Sequence, residues 1–175
     1  MMTSNSLYKS INATTMRLIL SCMVLVLLSI TASAQEDPPR PLQVSTFQNL
    51  SFGAIIQGTT GGKIIIDPEG SRSVTGDIIP VNMGYSYYPA IFEIRALPGA
   101  LINIVNGPDV LLNGNNGGTL LLHIGNSIPN SPFINTRNPA SPIQVRIGGT
   151  LTVGNSIANP AGNYIGYFSV TFAQQ

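Results

Sequence analysis

The clearest alternation of apolar and polar positions lies at the C-terminal end. Tyr164, Phe168, Val170 and Phe172 fall on one side, with Gly166 between them, while Ile165, Tyr167, Ser169 and Thr171 fall on the other. A period of two with one apolar side predicts a β-strand with one buried face, so Phe168 and Val170 are expected in the core. Before it runs Gly148-Gly149-Thr150-Leu151-Thr152-Val153-Gly154. The stretch between, residues 155–163, carries Asn-Pro and Ala-Gly pairs, both turn signals. The unit reads as two antiparallel strands joined by a loop.

The rest of the chain repeats this grammar. Leu42, Val44 and Thr46 alternate with Gln43 and Ser45, giving a first strand. Leu50 to Ile56 is a second, with Gly53 marking a bulge or a close backbone approach. Gly58 to Gly62 reads as a turn, Lys63 to Asp67 as a strand, and Asp67-Pro68-Glu69-Gly70 as a type I turn. Ser73 to Val81 returns, interrupted at Gly76-Asp77, and Tyr85 to Pro89 is a loop with three tyrosines. Phe92 and Ile94 point inward and Glu93 and Arg95 outward; with Pro98-Gly99 and Leu101 to Val105 they predict a hairpin. Asn113 to Gly118 is another turn, followed by an apolar strand from Leu120 to Ile124. Ser127 to Pro142 is the longest irregular connection, and Ile143 to Ile147 alternates again. Strand-length runs spaced by turns predict an all-β antiparallel sandwich or barrel.

Composition agrees. Charged residues make up 9% of the chain, against about 25% in an average soluble domain, while 43% are apolar and 18 are glycine and 13 proline. Gly and Pro disfavour helix interiors, and the apolar share is enough to build a core.

Residues 1–34 read as a signal peptide. Lys9 and Arg17 give a positive start, Leu18 to Ile30 is an apolar run, and Ala32-Ser33-Ala34 is a small-x-small cleavage site predicting a mature start at Gln35. The run is short of the ~20 residues a membrane span needs. Cys22, the single cysteine, stands too early in that run for an acylation site, so the mature chain has no thiol and no disulfide. It also loses two cations, which leaves six against seven anions and no basic stripe for nucleic acid. Residues 35–41 are polar and proline-rich and read as a flexible N-terminal tail; residues 42–175 read as a single domain.

Four ordered stretches carry a resemblance. These are Asn49-Leu50-Ser51-Phe52-Gly53-Ala54-Ile55, Ile66-Asp67-Pro68-Glu69-Gly70-Ser71-Arg72-Ser73, Gly148 to Val153, and Gly162-Asn163-Tyr164-Ile165-Gly166-Tyr167-Phe168-Ser169-Val170-Thr171. Together they resemble the bacterial family catalogued as domain of unknown function 4402, in order over essentially the whole mature chain. The first and last are also similar to secreted pilin-like subunits related to spore coat protein U. The resemblance implies an immunoglobulin-like, pilin-like β-sandwich at or beyond a bacterial envelope. It implies no catalytic residues. The pilin relatives often carry cysteines; this mature chain has none.

Candidate chemistry is sparse. His123, the only histidine, is expected on the solvent face of its strand, and no Gly-x-Ser-x-Gly elbow surrounds a serine to make a triad with it. Asp67, Glu69 and Asp77 match no calcium-loop spacing, so Asp67 is expected to bond its own turn and Arg72 to pair with one of these acids. Gly61-Gly62-Lys63 lacks the rest of a phosphate loop and precedes a strand. No enzyme activity, metal or cofactor is expected. Tyr85, Tyr87 and Tyr88 are the candidate contact surface, for sugar rings or a partner subunit, with packing over the end of the sandwich as the plainer alternative. Two function classes follow. One is an exported structural or adhesive surface protein that self-associates or joins other envelope proteins, extracellular, at the cell surface or in the periplasm. The other is a secreted module that binds carbohydrate or another ligand. In either case Leu42–Phe47 is expected to complete its own domain rather than a neighbour's.

Overall fold

The computed structural model describes residues 42–175, together with Arg17 and Ser21 alone from residues 1–41, both helical. The signal peptide expected over 1–34 and the tail expected over 35–41 otherwise lie outside the described residues. From residue 42 onward the chain is all β, in antiparallel sheets, without a helix. Among the described residues no helix is long and apolar enough to cross a membrane.

In chain order the strands are β1 (Gln43–Gln48), β2 (Ser51–Phe52), β3 (Ala54–Ile66), β4 (Arg72–Val81), β5 (Tyr87–Tyr88), β6 (Ala90–Arg95) and β7 (Leu101–Asn106). They continue as β8 (Val110–Gly114), β9 (Thr119–Ile128), β10 (Phe133–Ile134), β11 (Ile143–Val153), β12 (Tyr164–Ile165) and β13 (Val170–Gln174). Eight strands form one sheet along the path β1-β6-β11-β9-β8-β12, with β3 laid on β11 and β4 on β3. A three-stranded sheet runs β10-β7-β13, and β2 pairs with β5.

β11 is the hub of the large sheet. Its first half, Ile143 to Ile147, pairs with β6; its second half, Gly149 to Val153, pairs with β3; its other edge pairs with β9 from Arg146 to Thr152. The change of neighbour falls at Gly148, where a Cβ would come within 2.3 Å of the Ile66 carbonyl oxygen. Glycine is what lets two strand ends meet one strand at that point. Alternation then decides which side chains go inside. Val74, Ile64, Leu151, Leu122 and Val110 form one inward row across five strands, and Ile94 faces Ile143 while Phe92 faces Val145. Ile64, Ile66, Ile102, Val145 and Ile147 are essentially sealed from solvent. Ile102 comes from the three-stranded sheet, and the Phe92 and Phe172 rings meet at 5.4 Å, so the two sheets share one sandwich-like core.

Several expectations need correction. The C-terminal pair is not a hairpin: β11 never pairs with the final run, which splits into β12 on β8 and β13 on β7. The split is at Gly166, where a Cβ would lie 2.6 Å from the Leu112 side chain. The alternation is still correct, because each half lays its apolar side on the shared core. Phe168 falls in the link between the two strands, and it and Val170 are half-buried rather than sealed.

The segments around Pro98-Gly99 are not a hairpin either. The turn exists, with the Ala100 amide donating to Leu97 O at 3.2 Å, but it carries the chain from β6 in one sheet to β7 in the other. Its remaining backbone groups are satisfied by the 128–142 connection. Buried Asn135 donates through Nδ2 to Ala96 O at 2.7 Å and Leu97 O at 3.1 Å, and its carbonyl accepts from Gly99 N at 2.7 Å.

Gly58–Gly62 is not a turn but a bulge inside β3. Gln57 faces Ile78 and Gly62 faces Gly76, so residues 58–61 stand opposite Asp77 alone. The Asp77 carboxylate takes the place of the missing strand partner, accepting from Thr59 N at 2.7 Å. The type I turn at Asp67–Gly70 and the turn between β8 and β9 form as expected, with Gly70 N donating to Asp67 O at 3.0 Å and Gly117 N to Gly114 O at 3.1 Å.

Candidate functional site

The tyrosine segment is built from its backbone outward. Gly53 has φ 72°, a left-handed conformation that breaks the chain between β2 and β3 and that other residues adopt only at a cost. Arg72, opposite Ile66 at the start of β4, reaches this break and donates through Nη1 to Phe52 O at 3.2 Å and Ala54 O at 3.3 Å. Its guanidinium also lies 4.3 Å from the centre of the Tyr87 ring. Phe52 is buried in the core, and Ser51 Oγ donates to Ser86 O at 2.8 Å. Arg72 therefore ties the β2–β5 pair, and with it the tyrosines, to the β3–β4 hairpin. It does not pair with an acid as expected: its charge is spent on two carbonyls and a ring face. Tyr85, Tyr87 and Tyr88 are 62%, 43% and 36% exposed. One face of Tyr87 is taken by Arg72, and Tyr85 is the most open of the three.

The acids do not converge. Asp67 Oδ1 accepts from Ser71 N at 2.8 Å, and Oδ2 accepts from the Ser71 hydroxyl. Asp77 sits in the β3 bulge, and among the described residues no three metal-ligating side chains come together. The turn reading of Asp67 is the one the geometry gives. The Ser71 hydroxyl and amide hold its carboxyl below the ordinary aspartate value. A depressed folded value stabilises the turn above the ordinary titration range, and that contribution is lost as pH falls through the folded value. Ser71→Ala is expected to move the Asp67 titration back up toward the ordinary value, read by carboxyl-carbon NMR; an unmoved titration would show that the hydroxyl is not the cause.

His123 is exposed, with Nδ1 2.7 Å from Asp109 Oδ1. Among the described residues neither side chain bonds a serine, so the pair is an ordinary surface contact.

Two clefts open near the 128–142 connection. One, about 390 Å³, is polar and lined by Asn106, Asn126, Ser127, Asn130 and Ser131 among others. Its groups largely satisfy each other: Asn106 Nδ2 donates to Gly125 O at 2.8 Å, and Ser131 Oγ accepts from Ile104 N at 2.8 Å. The other, about 640 Å³, lies between the outer face of β6 and β11 and the connection itself.

Set beside known proteins, the chain matches the family model described as domain of unknown function (DUF4402) over residues 42–173. It belongs to that family. No curated protein and no solved structure matches it. The matched span begins one residue before β1 and ends within β13, so in this DUF4402 chain every strand but the last is covered whole.

Sequence reasoning missed three things. It passed over Asn135 and Asn159, two buried asparagines among many exposed ones, because nothing in the local pattern separates them. Asn159 donates to Thr119 O at 2.6 Å and accepts from Gly154 N, joining the loop after β11 to the start of β9. It also missed the larger cleft, whose walls are far apart in sequence.

Proposed function

We propose that this chain is an exported, non-enzymatic structural or adhesive protein of a bacterial surface, an immunoglobulin-like and pilin-like sandwich that associates with its own copies or with other envelope proteins. One observation carries the reading: β1, an edge strand of the large sheet among the described residues, exposes large apolar side chains. Among the described residues it pairs with β6 alone, Gln43 to Phe47 are all exposed, and Val44 and Phe47 are 43% and 62% exposed. A strand edge with apolar side chains is the kind of surface through which sheets join. The leader pattern and the four-motif resemblance support the same reading. So does the outward cross-strand pair of Ile56 and Ile79, both more than half exposed.

Electron microscopy and light scattering of the exported protein test it. Polymers or a ladder of oligomers are the expected result; a strict monomer at high concentration would overturn association with its own copies. A second reading, a glycan-binding module, is favoured by the open ring of Tyr85 on an anchored segment. It predicts a monomer retained on a glycan matrix, with retention abolished by Tyr85→Ala.

A further inference from the structure

The larger cleft is cationic in a domain that is otherwise balanced. Residues 42–175 hold five basic and five acidic side chains. Of these, Arg137, Arg146 and Glu93 line the cleft, while Asp67, Glu69, Asp77 and Asp109 do not. Arg146 is on β11, flanked by Ile91 and Ile128. Among the described residues neither Arg137 nor Arg146 has a carboxylate within 4 Å, and neither guanidinium donates a hydrogen bond. Glu93 instead accepts from Gln144 Nε2, at 3.4 Å.

The wall that presents Arg137 is fixed. Asn135 is 4% exposed, and its side chain accepts from Arg137 N at 3.0 Å and donates to Arg137 O at 3.1 Å while holding Ala96 O and Leu97 O. Further along, Arg95 Nη1 donates to Pro139 O at 3.0 Å and Ala140 O at 3.1 Å. A connection pinned this way spares the backbone's ordering cost at binding. Beside Thr136 and Gln144, the lining has an apolar part: Ile128 and Ile134 are 38% and 60% exposed, next to half-buried Phe133. Phe133 packs partly on the core, and the two more exposed isoleucines suit aliphatic side chains. β10, which holds Phe133 and Ile134, is an edge strand of its sheet, and among the described residues one of its backbone edges has no strand partner.

We propose that this cleft binds an extended polypeptide segment of a partner in which acidic and aliphatic residues alternate. Its carboxylates pair with Arg137 and Arg146, and its aliphatic side chains lie on Ile128 and Ile134. Guanidinium–carboxylate pairing supplies direction and the apolar lining supplies area. The inference does not depend on self-association, so either can fail alone.

Fluorescence anisotropy on the full chain tests it, with a labelled peptide of alternating valine and glutamate as the probe. Binding that weakens with salt is expected. Arg137→Ala and Arg146→Ala should each lower affinity about tenfold, and Arg137→Lys should keep part of it, because lysine retains the charge without the paired donors. Lys63→Ala, away from the cleft, should change nothing, and circular dichroism should show all variants folded. No binding, equal binding of a valine–lysine peptide, or an unaffected double arginine variant would overturn the proposal. Stronger binding of an oligouronate than of the peptide would do so as well, and would make the cleft a glycan site.

Discussion

Ile147→Ala is expected to cost about 2–5 kcal/mol, a large part of the 5–15 kcal/mol that holds a domain of this size. The side chain is fully sealed. It stands on the hub strand between Ala90 of β6 and Ser127 of β9, one residue before the glycine at which β11 changes neighbour. Removing it empties a site whose walls are strands paired on both sides, and paired strands cannot close in on a cavity without losing register. Phe168→Ala should cost roughly half as much, because the ring is only half-buried and lies in a link between strands that can shift. Tyr167→Ala, at a position 91% exposed, should fall within about 0.5 kcal/mol of the parent. Urea melts at constant slope give the order directly. If Phe168 proved costlier than Ile147, the centre of the core would lie on the C-terminal run and not on β11.

That contrast also shows what the sequence could reveal. Strand positions and inward faces were legible because a period of two is a local property: Leu120, Leu122 and Ile124 are buried, while Leu121 and His123 are exposed, as their alternation requires. Pairing was not legible. Leu101 to Val105 follows a good turn after Ile91 to Ala96, yet joins the other sheet, because the turn's carbonyls are held by Asn135, far along the chain. Gly58 to Gly62 has the composition of a turn, and only the placement of Asp77 opposite it makes a bulge inside a continuous strand. The tyrosines were found because aromatic residues in a loop are conspicuous. The arginine that anchors them was assigned the wrong partner, because sequence offered it nearby acids and the fold offered it two carbonyls. Arg137 and Arg146 carried no signal, since their cleft exists only once the 128–142 connection is pinned beside β11.

The strand that begins the domain gives the second large effect. β1 lies in register with β6 from Gln43 opposite Arg95 to Gln48 opposite Ile91, with a bulge after Thr46, and Leu42 packs against the core. Deleting residues 35–46 would strip this cover from β6, whose Ala90, Ile91 and Ile94 are buried, and leave a row of unpaired backbone groups. With the strand belonging to its own domain, the truncated chain should lose its cooperative melt or drop sharply in urea midpoint. A synthetic peptide of residues 35–46 should restore it weakly, because adding a strand from solution carries an association cost that a tethered strand avoids. Only Leu42 and Val44 supply alternating aliphatic side chains, and Val44 is 43% exposed, so little apolar burial is available to offset that cost. The opposite result is a stable truncated monomer that captures the peptide tightly. It would mean that β6 is built to receive this strand from outside, and that the open edge of one copy is completed by the N-terminal segment of the next.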